Sequence, residues 1–91
     1  MSYSFNVSAA TKAAAVEKVV AELDKVVAAQ PVHAADRAQA QATAEAFVNI
    51  VPDPKEDQEI YVSVSGWVNW TSDLVVTAAS VNVSATVKPK E

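Results

Sequence analysis

Residues 59–70 read Glu59-Ile60-Tyr61-Val62-Ser63-Val64-Ser65-Gly66-Trp67-Val68-Asn69-Trp70. Ile60, Val62, Val64, Val68 and Trp70 share one parity with Gly66; Tyr61, Ser63, Ser65, Trp67 and Asn69 share the other. Successive side chains of a strand point to opposite faces. The stretch therefore predicts a half-buried β-strand with one apolar face and one small-polar face.

The same alternation continues on both sides of this stretch. Thr71-Ser72-Asp73 carries turn chemistry, and a partner strand is expected over 74–88. Within it Val81, Val83, Ala85 and Val87 face inward, while Ser80, Asn82, Ser84, Thr86 and Lys88 face outward. Leu74-Val75-Val76-Thr77-Ala78-Ala79 does not keep this phase, which predicts a bulge or bend. Upstream, Pro52-Asp53-Pro54-Lys55-Glu56-Asp57-Gln58 is a loop over 52–58, punctuated by two prolines and kept in solvent by its charges. At the N-terminus Ser2-Tyr3-Ser4-Phe5-Asn6-Val7 alternates again, predicting a strand over 2–7.

Between these strands the apolar period changes to that of a helix. Ser8 stands where an N-cap is expected, and a first helix is expected over 9–29. Val16, Val19, Val20, Leu23, Val26 and Val27 recur at helical spacing on one face, and Lys18 and Glu22 are placed to pair at i, i+4. Gln30-Pro31 ends this helix, because proline lacks the N–H and disfavours helical geometry in the residue before it. A second helix is expected over 33–51, with Asp36 complementing the positive end of its dipole. Its alanines at 34, 35, 38, 40, 42, 44 and 46 permit close helix packing, with Phe47, Val48, Ile50 and Val51 as bulky anchors.

The order β-α-α-β-β in a single domain over 1–91 predicts an α+β fold. It is a two-layer sandwich: a three-stranded, mainly antiparallel sheet with a helical hairpin packed on one face. Strand order 1-2-3 is favoured, with 1-3-2 as the alternative.

Composition excludes several classes of function. The 91 residues include no cysteine, so no disulfide or thiolate metal site is available. No apolar run reaches the length needed to span a bilayer, and the N-terminus lacks the basic and apolar regions of a signal peptide. A cytoplasmic location and no membrane partner are therefore expected. The net charge is −4, and Lys and Arg do not cluster, which argues against direct nucleic-acid binding. One glycine in the whole chain leaves no phosphate-cradling loop.

Two candidate sites remain. His33, Asp36 and Arg37 lie within one turn at the start of the second helix, where an anion or a small nucleotide signal would be held; as a catalytic set they lack a nucleophile or a second ligand. Asp53, Glu56, Asp57 and Glu59 lack the spacing of a calcium loop. No metal, cofactor or catalytic residue is expected. The other candidate is the outward sheet face, with Tyr61, Ser63, Ser65, Trp67, Asn69, Asn82 and Ser84 as interface residues. Ordinary solvated sheet faces carry Lys and Glu; aromatic side chains on an uncharged small-polar surface resemble an interface with anchors. The third strand is long, β-branched and low in charge, so an unprotected edge there invites pairing with another chain.

Ser2-Tyr3-Ser4-Phe5-Asn6-Val7 followed by Ala9-Ala10-Thr11-Lys12-Ala13, with Gln30-Pro31-Val32-His33-Ala34 at the hairpin, is similar to small uncharacterised proteins encoded by tailed bacteriophages. The resemblance implies a host-cytoplasm location and an accessory role, and it transfers no catalytic residues. The expected function is a non-enzymatic interaction module that self-associates and acts on a protein partner. The alternative is a small-ligand or nucleotide-signal binder using the start of the second helix.

Overall fold

The computed structural model describes residues 2–70 and 76–90. The chain runs β1 (Ser2–Ala9), α1 (Lys12–Ala29), a short 3-10 helix (Pro31–Ala35), α2 (Arg37–Ile50), β2 (Gln58–Trp70) and β3 (Val76–Pro89). The three strands form one antiparallel sheet in the order β1-β2-β3. This is the α+β arrangement expected from the change of period, with the favoured strand order.

Both helices pack on one face of the sheet. Ile60, Val62 and Val64 of β2 are fully buried against Ala15, Val19 and Leu23 of α1 and Ala40, Ala44 and Val48 of α2. The alanines of α2 let its backbone lie close to the sheet. Val81, Val83, Ala85 and Val87 of β3 pack against this core but stay partly exposed, since β3 is an edge strand. Val68 is buried, as its parity predicts; the side chain of Trp70 and the Thr71-Ser72-Asp73 turn lie outside the described residues.

Several boundaries differ from the sequence reading, each for a local reason. β1 continues to Ala9, because Ser8 and Ala9 pair with Tyr61 and Ile60. The cap of α1 is therefore Thr11, not Ser8: the Ala14 N–H donates to Thr11 Oγ1 at 3.1 Å. Lys18 does not pair with Glu22. Its Nζ donates to the carbonyl of Ser8 at 2.6 Å, and Glu22 pairs instead with Lys25. The second helix divides at Asp36. Pro31 starts a 3-10 turn in which the His33 N–H donates to Gln30 and the Asp36 N–H to His33, and α2 begins only at Arg37.

The bulky end of α2 is only partly an anchor. Val48 is fully buried, but Phe47 and Ile50 are 40% and 76% exposed. At about 100° per residue, the buried stripe Ala40, Ala44 and Val48 leaves Phe47 and Ile50 on the helix flank. In the β2–β3 ladder, Asn69 pairs with Ala78 and Trp70 with Val76. The skipped Thr77 is the bulge expected where β3 loses its phase; Leu74 and Val75 lie outside the described residues.

Candidate functional site

Strand register sets the rows of the uncovered face. Ser2, Trp67 and Ser80 stand in one row; Ser4, Ser65 and Asn82 in the next; then Asn6, Ser63 and Ser84; then Ser8, Tyr61 and Thr86. Directly opposed side chains on neighbouring strands approach to about 5 Å, so these rows form one continuous surface. Trp67 is 42% exposed, and Asn69, Asn82 and Ser84 are exposed on the same face. Tyr61, Ser63 and Ser65 on the central strand are half-buried by their neighbours on either side. All seven interface residues expected from the sequence thus lie on one face.

The first two rows surround an open depression of about 380 Å³, lined by Ser2, Ser4, Ser65, Trp67, Ser80 and Asn82, with Tyr3 and Gly66 completing it. Ser2 and Ser80 join the seven expected interface residues because the register brings them beside Trp67. At the opposite end, Lys88 Nζ sits 4.5 Å from the Tyr61 ring centroid, a cation–π contact. Glu59 is the register partner of Lys88, so among the described residues the charge of this face lies at its lower margin. The middle rows offer only hydroxyls and carboxamides, which donate or accept as a partner requires.

The second candidate site divides. His33 and Asp36 are buried on the covered side, each about 2% exposed at its side chain, with Nδ1 and Oδ1 3.7 Å apart. The Tyr3 ring meets the His33 ring edge-on at 4.8 Å. Arg37 turns away toward α1: its Nε and Nη2 donate to Asp24 Oδ1 at 2.9 and 2.6 Å, and its Nη1 donates to Gln41. The cation expected to attract an anion is thus committed to a helix–helix contact.

What gathers around His33 and Asp36 instead is Tyr3 and Gln30. The Tyr3 hydroxyl, Gln30 Oε1, both His33 nitrogens and both Asp36 carboxylate oxygens are buried without a hydrogen-bond partner in the structure. Burial, and secondarily the Asp36 charge, pushes the Tyr3 hydroxyl up to about 12. No spacing in the sequence joins Tyr3 to His33; the sequence signal that bears on it is the single glycine, Gly66, opposite an aromatic residue in the β1–β2 register.

Among the described residues no three His, Cys, Asp or Glu side chains are grouped as a metal site, and no helix is long and apolar enough to cross a membrane. No family model, curated protein or solved structure matches the chain.

Proposed function

We propose that this chain is a non-enzymatic protein-interaction module that self-associates and presents its open sheet face to a protein partner. One observation carries the reading: Trp67, 42% exposed, stands among serine and asparagine on a face that the chain's own helices leave bare. Rigid aromatic side chains surrounded by small polar groups are the usual anchors of protein interfaces, because they bury much area at little entropic cost. The chain's one histidine, His33, is buried on the covered side, away from the serines of this face. That arrangement favours binding over hydroxyl-based catalysis.

The resemblance of the N-terminal strand and the hairpin to small tailed-phage proteins supports a finer version: an accessory protein acting on a host protein in the host cytoplasm. The test is parallel capture from a bacterial cytoplasmic extract on immobilised wild type and Trp67→Ala, both shown to be folded by circular dichroism. A protein retained by wild type and at least tenfold less by the variant is expected. Equal retention on both would count against the face.

A second reading, a small-ligand binder, is favoured by the buried polar atoms of Tyr3, Gln30, His33 and Asp36 that lack partners. The Asp36 carboxylate there and the commitment of Arg37 to Asp24 oppose a phosphate, so a nucleotide is the poorer fit. A ligand rich in donors suits the cluster better. Thermal-shift screening tests it: a ligand at 100 times its Kd adds about 2.7 kcal/mol, and a screen without a stabilised hit would remove this reading.

A further inference from the structure

The two edges of the sheet are treated differently. An open edge exposes a row of unpaired N–H and C=O groups, and proteins blunt such edges with lysine, proline or short strands. β1 is short, 8 residues, and Lys18 reaches over from α1 to cap the Ser8 carbonyl at 2.6 Å. β3 has 14 residues and runs for about 45 Å at roughly 3.4 Å per residue. That is nearly the whole 49 Å length of the molecule. It contains no proline before Pro89 and one charged residue, Lys88, which is held over Tyr61 on the open face.

A second observation lies beside that edge. α2 packs on β3, and its buried stripe Ala40, Ala44 and Val48 faces the sheet, while Arg37, Gln41 and Glu45 form the polar seam toward α1. Helical geometry then puts Thr43, Phe47 and Ile50 on the remaining flank, away from α1 and over the outer side of β3. Among the described residues, Phe47 and Ile50 are, with Trp67, the large apolar side chains left exposed. Unpaired strand backbone and exposed apolar helix surface therefore lie side by side on one rim of the molecule.

We propose that the occupant of this rim is a second copy of the chain, joined β3 to β3 about a twofold axis. An antiparallel strand pair is self-complementary under such an axis, and each edge supplies the donors and acceptors that the other needs. With the axis near Val83, Val81 faces Ala85, and Lys88 faces Ala78, so the one charge of the strand never meets its copy. α2 runs from the level of Val81, where His33 meets Tyr3, to that of Val87, where Lys12 reaches Asn49, so the same axis lays the two α2 helices side by side and antiparallel, with Phe47 and Ile50 of each copy against the first half of the other's α2. The product is a continuous six-stranded sheet, helices on one side, with the small-polar face doubled in width.

This inference rests on the self-association in the proposed function and is independent of what the open face binds. Sedimentation equilibrium and amide hydrogen exchange test it on wild type, the double variant Phe47→Glu/Ile50→Glu, and Trp67→Ala. Both substituted α2 positions are solvent-exposed, so the monomer is expected to stay folded by circular dichroism. Wild type should sediment at twice the 9.6 kDa chain mass in the micromolar range, with slow exchange along β3. The double variant should weaken the dimer at least tenfold and lose that protection, while Trp67→Ala should leave both unchanged. A monomeric wild type at 100 μM would overturn the dimer, and so would a dimer that ignores the α2 variant or dissociates with Trp67→Ala. A Trp67-dependent capture partner found with a monomeric chain would overturn this inference and leave the face reading standing.

Discussion

The phenol of Tyr3 occupies the space that a side chain at Gly66 would fill. A Cβ built on Gly66 meets the Tyr3 ring and hydroxyl well inside van der Waals contact, and the two residues are direct register partners on the covered side of the sheet. The glycine lets the ring lie across β2 and reach His33. Gly66→Ala should therefore destabilise the protein by about 1–3 kcal/mol, by displacing the ring from that position. In a Tyr3→Ala background the same change should cost much less. Urea unfolding of the four members of the cycle checks this; equal costs in both backgrounds would mean that the contact does not determine residue 66.

Alkaline pH probes the same ring. The Tyr3 hydroxyl ordinarily ionises near 10 and is raised to about 12 in the folded chain, chiefly by burial. Below pH 10 the hydroxyl is protonated in both states, and its contribution is fully present. Between about 10 and 12 the unfolded chain ionises while the folded chain holds its proton, so stability is lost as pH rises. Tyr3→Phe should flatten this loss. It should also leave stability at pH 7 equal or higher, since it removes a buried hydroxyl that has no partner. Denaturant midpoints for both proteins from pH 8 to 12 give the comparison.

The start of α1 separates two serine/threonine candidates. Thr11 accepts the Ala14 N–H, whereas Ser8 lies in β1 and contributes its carbonyl to Lys18. Thr11→Ala should cost about 1 kcal/mol, and Ser8→Ala only a few tenths. Thermal unfolding of the two variants decides between them, and a larger loss at Ser8 would return the cap to that residue.

Core and open face should respond in opposite ways. Leu23 is essentially fully buried among the sheet valines, so Leu23→Ala should cost about 2–5 kcal/mol. Trp67 is 42% exposed between Ser2 and Ser80, so Trp67→Ala should cost under about 1 kcal/mol. Chemical denaturation measures both. A Trp67 cost as large as that of Leu23 would make the indole a structural member of the fold instead of a binding group.

The sheet is legible in the sequence because period 2 is local: the parity of Ile60, Val62 and Val64 assigns every neighbour, and Tyr61, Ser63 and Ser65 follow on the other face. The interface candidates inherit that clarity. The helix starts are less legible, because Ser8 and Thr11 are both competent caps and only pairing of Ser8 with Tyr61 decides between them. The break at Asp36 depends on how Pro31 sets the preceding 3-10 turn. The meeting of Tyr3, His33 and Asp36 joins residues some 30 positions apart and has no periodic signature. The exposure of Phe47 and Ile50 depends on the phase of α2 over the sheet, which its nearly uniform alanines conceal.

The central claim is that the open face is occupied when the protein is at work. Hydroxyl-radical footprinting of Trp67 and Tyr61, in dilute purified protein and in bacterial cytoplasmic extract, measures this whatever the partner is. The account predicts rapid oxidation of Trp67 in the dilute protein and several-fold protection of both rings in the extract, with no change in overall fold. Equal oxidation rates at Trp67 under the two conditions would contradict it.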